Sequence, residues 1–267
     1  MPRFRANGVE LAYEVQGRGF PIVFSHSLLL DRRNFSHQMA ELAKQYQTIG
    51  IDTHGHGEST SPATDLTLDA ITDDFLKLLD QFRYARFVFV GLSMGGMIGL
   101  RLALKAPRYL KGLVLIDTSA DAENSGRKYQ YEALIQAAQE VGITPELADM
   151  VMPFMFSERF LREQQKLARE YKERLTKLQL GGALKVARAV IDRPSILGQL
   201  SQISIPTLIL VGAQDNTQPI DESEKIRSRI AQSKLVQVPD AGHISSVEQP
   251  EFVTKQISQF MQELGIN

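Results

Sequence analysis

The sequence predicts an α/β protein built on a doubly wound, mostly parallel sheet of eight strands. Three observations predict it: short runs rich in β-branched and aromatic residues, helical patterns between most of them, and little polar–apolar alternation within the runs. Strands covered by helices on both faces have this continuous apolar character, and strand–helix alternation is typical of parallel sheets. The eight runs are 4–6, 9–15, 21–24, 47–51, 87–90, 112–116, 207–211 and 235–238.

The first two runs flank Asn7-Gly8, a dipeptide that favours positive φ at both turn positions and therefore a tight hairpin. We expect these two strands to be antiparallel and to lie at one edge of the sheet. Apolar residues at helical spacing predict the helices of the core. These helices are 34–45, 68–82, 94–106 and 247–264.

The segment 121–193 interrupts the alternation, because it contains no convincing strand pattern. It carries 12 basic and 11 acidic residues, a denser and evenly balanced charge than in the whole chain. Its clearest periodicity predicts one helix over 157–180. The sequence therefore predicts a core domain formed by 1–120 and 194–267, with a helical insertion at 121–193.

Composition limits the chemistry and the partners of the chain. There are 30 Lys and Arg against 31 Asp and Glu, a net charge of −1 that argues against nucleic acid or an anionic membrane surface as partner. The absence of Cys excludes thiolate catalysis, disulfides and Cys-ligated metals. The N-terminus shows no apolar leader and the apolar runs are too short to span a membrane, so we expect a cytoplasmic protein.

Gly91-Leu92-Ser93-Met94-Gly95 follows the fifth strand directly and opens a helix. A strand–turn–helix of this kind exposes the central serine on a tight turn, where larger neighbours than glycine would collide. Because a serine hydroxyl is a weak nucleophile at neutral pH, it needs a base in reach. We predict Ser93 as the catalytic nucleophile.

His243 and Asp215 are the predicted base and acid. His243 lies in a loop after the last strand, and Asp215 follows the seventh strand, so both belong to the carboxyl edge of the sheet where Ser93 lies. The chain order Ser, Asp, His is the order expected of a triad on such a sheet. Asp117, at the end of the sixth strand, is the competing acid, whereas Asp240 reads as a turn residue.

Two backbone N–H groups are predicted to form an oxyanion hole, since donors aimed at the developing charge stabilise a tetrahedral intermediate. One is that of Met94, directly after the nucleophile. The other comes from the loop after the third strand, where we choose Leu28. The hydroxyl of Ser27 is a further candidate donor.

Five ordered segments together resemble the α/β-hydrolase superfamily over nearly the whole chain. They are 25–28, 52–59, 91–96, 211–215 and 241–243. The resemblance implies the α/β-hydrolase fold, a helical cap over the site formed by the insertion 121–193, and catalysis without a cofactor. The family usually has His-Gly after the third strand, where this chain has His26-Ser27, and a Ser-Leu pairing similar to Ser27-Leu28 occurs in members that resemble 3-oxoadipate enol-lactonases. His54 stands where Arg is usual. Ser93 occupies the nucleophile position that is Asp in haloalkane dehalogenases and epoxide hydrolases.

The cap contains the candidate pocket residues. Its most apolar stretch can line an acyl pocket or simply pack the cap on the core; the candidates are Met152, Phe154 and Met155. Three arginines can bind a substrate carboxylate or remain solvated: Arg127, Arg188 and Arg193. His54 and His56 lack a third ligand nearby, so we expect no metal site.

The sequence thus predicts a serine hydrolase that cleaves small esters or lactones through an acyl-enzyme. One alternative is an enol-lactonase or a carbon–carbon bond hydrolase with an acidic substrate, which requires a cap arginine facing Ser93. Perhydrolase activity, with peroxide replacing water, is another. A third is a ligand receptor on the same fold that does not turn over. The oligomeric state is not predicted.

Overall fold

The computed structural model describes residues 1–266 and contains the eight-stranded sheet that the sequence predicts. Its strands are β1 Arg3–Ala6, β2 Val9–Gly17, β3 Pro21–Ser25, β4 Gln47–Ile51, β5 Phe87–Leu92, β6 Leu110–Ile116, β7 Thr207–Gly212 and β8 Ser233–Val238. They lie in the order β1-β2-β4-β3-β5-β6-β7-β8. The pairs β1–β2 and β2–β4 are antiparallel, and all others are parallel.

Helices cover both faces of this sheet. The α-helices are α1 Ser36–Leu42, α2 Leu68–Phe82, α3 Met94–Lys105, α4 Ser125–Val141, α5 Pro145–Met155, α6 Glu158–Glu163, α7 Gln165–Thr176, α8 Leu180–Ile191, α9 Ile220–Arg227, α10 Ser245–Glu248 and α11 Pro250–Glu263. α2 packs against α3, and α1 packs against α11. Along β5, Phe87 and Phe89 point into one apolar cluster while Val88 and Val90 point into the other. This double burial explains why the strand sequence shows no polar alternation.

Between β6 and β7 the chain forms the five helices α4 to α8, which we call the cap helices. Their inward residues join the apolar clusters of the core, as Ala148, Met155 and Leu175 do. The helical character predicted for this segment is therefore present. Within residues 1–266, no helix is both long and apolar enough to cross a membrane.

The prediction of one helix over 157–180 is wrong, because the segment divides into α6 and α7 at Gln164, whose φ of −107° and ψ of 44° are not helical. The ring of Phe156 explains the break. It stacks on the Phe160 ring, with the two ring centroids 4.6 Å apart, and contacts the Tyr171 ring edge-on, with centroids 5.0 Å apart. Eleven residues of straight helix would separate those two rings by roughly 16 Å, so the chain must bend for both to contact one partner.

Two further helices differ from their predicted bounds. The last helix begins at Pro250, because proline suits a first helical turn and disrupts an interior; the four-residue α10 precedes it. The first helix begins as a 3-10 turn, Arg32–Phe35, and continues as α1.

Arg32 and Asp52 join this 3-10 turn to the end of β4. The Asp52 carboxylate is fully buried and accepts hydrogen bonds from the Arg32 side chain, the Arg32 backbone N–H at 2.8 Å and the Glu58 backbone N–H at 2.9 Å. Arg32 forms two further ion pairs, from Nε to Glu14 Oε2 at 3.3 Å and from Nη2 to Glu58 Oε1 at 3.0 Å. The network fixes the two loops that follow β3 and β4 relative to each other.

We expect Asp52→Asn to lower the free energy of unfolding by about 3 kcal/mol, because it leaves the buried guanidinium of Arg32 without its buried carboxylate partner. Urea denaturation measures this. Glu10→Gln is the control: it removes an ion pair to Arg3 whose side chains are 44% and 45% exposed, and we expect a cost below about 1 kcal/mol. Equal costs for the two variants would contradict this account of the network.

Candidate active site

Ser93 lies on a tight turn between β5 and α3, with φ of 52° and ψ of −113°. Glycines on both sides make this turn possible, since a Cβ at Gly91 would collide with the Gly95 carbonyl, and one at Gly95 with the Ser25 carbonyl. Thr118, two residues after β6, donates a 2.7 Å hydrogen bond from its hydroxyl to the Ser93 carbonyl and supports the turn. Local geometry thus holds the Ser93 side chain at the carboxyl edge of the sheet.

Ser93, His243 and Asp215 form one hydrogen-bonded chain. The Ser93 hydroxyl lies 2.8 Å from His243 Nε2, and His243 Nδ1 lies 2.8 Å from Asp215 Oδ2. The three residues follow β5, β8 and β7, and all are buried. The structure therefore brings together the three residues that the sequence singles out, in the arrangement of a nucleophile, a base and an orienting acid.

The electrostatics of this chain favour a basic imidazole. Burial opposes the charged form of His243, but the charge and hydrogen bond of Asp215, together with the charges of Asp117 and Glu248, outweigh burial and raise the pKa of His243 above its ordinary 6.5. Asp215 Oδ1 is held in turn by the backbone N–H groups of Thr217 at 2.8 Å and Gln218 at 2.9 Å. The carboxylate is thereby locked with its second oxygen directed at the imidazole.

The competing carboxylates are engaged elsewhere. Asp117 accepts hydrogen bonds from the Gly212 N–H at 2.7 Å and from the Ser245 N–H and hydroxyl at 3.2 and 2.5 Å. Burial, and then the charge of Asp215, raise the pKa of Asp117 well above its usual range. Asp240 is exposed and pairs with Arg159 at 2.7 Å. Asp215 is therefore the carboxylate that contacts His243.

Leu28, in the loop after β3, lines the same cavity as Ser93. In residues 1–266 neither the Leu28 nor the Met94 backbone N–H has an acceptor within the protein, as expected for Met94 at the start of α3. Leu29 has a φ of 64°, and its N–H donates to His56 Nε2 at 3.1 Å. This bond fixes the turn that presents the Leu28 N–H.

Three buried histidines support this loop and the one after β4. His26 Nδ1 donates to the Ser27 carbonyl at 2.7 Å while its Nε2 accepts from the Thr53 N–H at 2.9 Å. His56 Nδ1 donates to the His54 carbonyl at 2.8 Å, and burial followed by the charge of His26 lowers the pKa of His56 to about 3. His54 pairs with Asp74 of α2 at 2.9 Å. Residues 1–266 contain no cluster of three His, Asp or Glu that could hold a metal ion.

A cavity of about 160 Å³ adjoins Ser93 and His243. The cap helices α4, α5 and α8 supply most of its wall, which is almost entirely apolar; examples are Leu134, Ile135, Leu147, Val151, Leu184 and Val190. Of the three predicted pocket residues, Phe154 and Met155 line the cavity. Met152 does not: it packs into the apolar cluster around Phe156, because the helical rotation of α5 turns it toward the core.

None of the three cap arginines lines this cavity, and throughout residues 1–266 no Lys or Arg does. Arg127 donates to the backbone carbonyls of Asn216 and Thr217. Arg188 is exposed, and its Nη2 donates a 3.4 Å hydrogen bond to Gln139 Oε1. Arg193 is buried and pairs with Glu123 at 3.1 Å.

Sequence reasoning missed Glu123 and Tyr131, which also line the cavity. No motif marks either residue. Glu123 pairs with an arginine 70 positions away, and a contact of that sequence separation leaves no local pattern. The role of His56 in holding the Leu29 N–H was missed for the same reason.

Comparison with known proteins agrees with this architecture. The sequence model of the family described as alpha/beta hydrolase fold matches residues 21–250. The chain belongs to this family. It is 29% identical over 262 residues to 3-oxoadipate enol-lactonase 2 of Acinetobacter baylyi, covering 97% of this chain and 96% of the relative. It is 32% identical to 3-oxoadipate enol-lactonase 1 of the same organism, covering 91% and 89%.

Solved structures of this family superpose closely. A thermophilic esterase from Thermogutta terrifontis matches with a TM-score of 0.92 at 30% identity, over 99% of both chains. The enol-lactonase from Burkholderia xenovorans LB400 matches with a TM-score of 0.91 at 27% identity, over 98% of this chain and 100% of that one. The expected α/β-hydrolase fold is thus confirmed.

An NMR titration of His243 should give a pKa above 6.5, because the Asp215 carboxylate stabilises the imidazolium. In Asp215→Asn we expect the pKa to fall below that of the wild type, since burial then acts with much less opposition. Glu10→Gln, which removes an exposed carboxylate paired with Arg3, is the matched control and should leave the pKa of His243 unchanged. An unchanged His243 pKa in Asp215→Asn would contradict the coupling described above.

Proposed function

We propose that this protein is a serine hydrolase that cleaves small uncharged esters or lactones through an acyl-enzyme. The observation that carries the proposal is the hydrogen-bonded chain of Ser93, His243 and Asp215 beside an apolar cavity to whose wall residues 1–266 contribute no Lys or Arg. An enzyme with this activity is classed as a carboxylic ester hydrolase. We expect it to work without a cofactor.

In the first step, Ser93 Oγ attacks the substrate carbonyl carbon while its proton moves to His243 Nε2. Asp215 keeps Nδ1 protonated, so that Nε2 is free to accept. Because the base must be neutral, kcat/KM falls as the pH is lowered through the pKa of His243, which lies above 6.5. The Leu28 and Met94 N–H groups, which lack acceptors in the protein, donate to the oxyanion.

The tetrahedral intermediate collapses as the bond from carbon to the leaving oxygen breaks. The leaving alcohol takes the proton from His243 Nε2, and the acyl group stays on Ser93. Water then attacks this ester with His243 again as base, which releases the acid and restores the Ser93 hydroxyl. A lactone follows the same steps and yields one hydroxy acid.

The cavity wall supports an uncharged substrate. An apolar acyl group gains by leaving water for a wall of aliphatic and aromatic side chains, whereas a carboxylate buried there would lose hydration without gaining a cationic partner. The enol-lactonase relatives favour a lactone as the substrate class. The missing cation favours a lactone or ester that bears no acid group.

The cap helices supply the substrate specificity in this proposal, and the division into a core of 1–120 and 194–267 with a cap of 121–193 is part of it. The cap contributes Phe154, Met155 and the aliphatic wall, whereas the core contributes the reacting groups. The strand ends position the chemistry, and the cap excludes water from it.

Replacing Ser93 with Ala should abolish turnover of p-nitrophenyl butyrate, with kcat falling by at least about 10³-fold, because among residues 1–266 the Ser93 hydroxyl is the one that is hydrogen-bonded to the base His243. Ser223→Ala is the matched control. That serine is also fully buried, but its hydroxyl has no hydrogen-bond partner among the described residues. Full activity of Ser93→Ala would overturn the proposal; a single stoichiometric burst from the wild type would instead favour a receptor that does not turn over.

Wild-type enzyme should prefer p-nitrophenyl butyrate over p-nitrophenyl hemisuccinate by at least about tenfold in kcat/KM, because the cavity offers a carboxylate no cation. Initial rates at a pH where the hemisuccinate is ionised measure this ratio. A preference for the anionic ester would refute the uncharged substrate class and favour an acidic one.

A further inference from the structure

Glu123 is the one Asp, Glu, Lys or Arg side chain, within residues 1–266, that lines the cavity beside Ser93. The rest of the wall is apolar apart from hydroxyl and amide groups and His243. A single carboxylate in such surroundings acts strongly on any charged group that enters, because little water screens the interaction.

The carboxylate of Glu123 is held in place by Arg193, which lies outside the cavity wall. Its Oε2 lies 3.1 Å from Arg193 Nη1, and the two side chains are only 4% and 2% exposed. Arg193 Nη1 also donates to the Val190 carbonyl at 2.8 Å. The guanidinium does not itself line the cavity, so Glu123 stands between Arg193 and any substrate.

We propose that Glu123 determines the charge selectivity of the cavity. Its carboxylate occupies the side of Arg193 that the acid group of an anionic substrate would otherwise take, so that anionic esters and lactones are rejected and neutral or cationic ones are accepted. This inference rests on the proposed function, since it concerns the substrate of the same site.

The surroundings of Tyr131 support the inference. Tyr131 lines the same cavity and contacts Phe154 edge-on, with ring centroids 6.0 Å apart. Burial, and then the negative charge of Glu123, raise the pKa of Tyr131 to about 12. The Glu123 charge therefore reaches a group in the cavity wall, and it reaches a substrate in the same space.

The test compares three p-nitrophenyl esters whose acyl chains have four carbons: butyrate, hemisuccinate and 4-(trimethylammonio)butyrate. In Glu123→Gln we expect kcat/KM for the anionic ester relative to butyrate to rise by about tenfold, and that of the cationic ester to fall by a similar factor, as one charge is removed from a poorly screened cavity. Unchanged ratios in the folded variant would overturn the inference.

Asp192→Asn is the matched control. It removes the same charge one residue away from Arg193, but Asp192 is 59% exposed, pairs with Lys128 and does not line the cavity. We expect its ester ratios to equal those of the wild type. A shift as large as that of Glu123→Gln would mean that net charge rather than the cavity carboxylate sets selectivity, and would also overturn the inference.

A second variant covers the case in which Glu123→Gln does not fold because Arg193 is left buried without an anionic partner. Glu123→Leu with Arg193→Met replaces the whole ion pair by apolar side chains of similar size, which is often tolerated. It also removes the cavity carboxylate, so kcat/KM for the cationic ester relative to butyrate should fall here as it does in Glu123→Gln, and an unchanged cationic-to-neutral ratio counts against the inference in the same way.

Binding separates failure of this inference from failure of the proposed function. The dissociation constants of the three esters are measured by calorimetry in the Ser93→Ala background, with and without Glu123→Gln. If the wild type shows no turnover, the proposed function fails while these constants still test Glu123. If turnover occurs but neither rates nor constants change their charge preference, only the inference about Glu123 fails.

Discussion

The turn at Ser93 is the constraint on which the rest of the site depends. A non-glycine residue at a φ of 52° is strained by about 1–3 kcal/mol, and the neighbouring structure must hold it there. Two glycines allow the strand, the helix and Ser25 to approach, while Thr118 bonds to the Ser93 carbonyl. Because the turn is this tight, the Ser93 hydroxyl lies within hydrogen-bond distance of His243 Nε2. The Met94 N–H, at the start of α3, has no acceptor among residues 1–266.

Charge is confined to two places around an otherwise apolar cavity. His243 and Asp215 carry it on the reacting side, and Glu123, paired with the buried Arg193, carries it in the wall. Since these side chains are buried among mostly apolar groups, each charge acts on its neighbours with little screening. The raised pKa of His243 and the charge selectivity assigned to Glu123 have this same physical origin.

Local sequence patterns predict most of the sheet and the reacting residues, because each strand run and the Gly91–Gly95 motif consist of residues that are adjacent in the sequence. What depends on distant contacts was not predictable. The break at Gln164 comes from the contacts of Phe156 with two rings eleven residues apart. Met152 packs into the apolar cluster around Phe156 because of its position on α5. The pairing of Glu123 with Arg193 joins the segments just before and just after the cap helices.

Acylation of Ser93 is tested most directly by rapid quenching of the reaction with p-nitrophenyl butyrate, followed by peptide mass spectrometry. We expect one butyryl group on the peptide that contains Ser93, appearing with the first turnover and disappearing as substrate is exhausted. Turnover without any acylated Ser93, or an acyl group carried on another residue, would contradict this expectation.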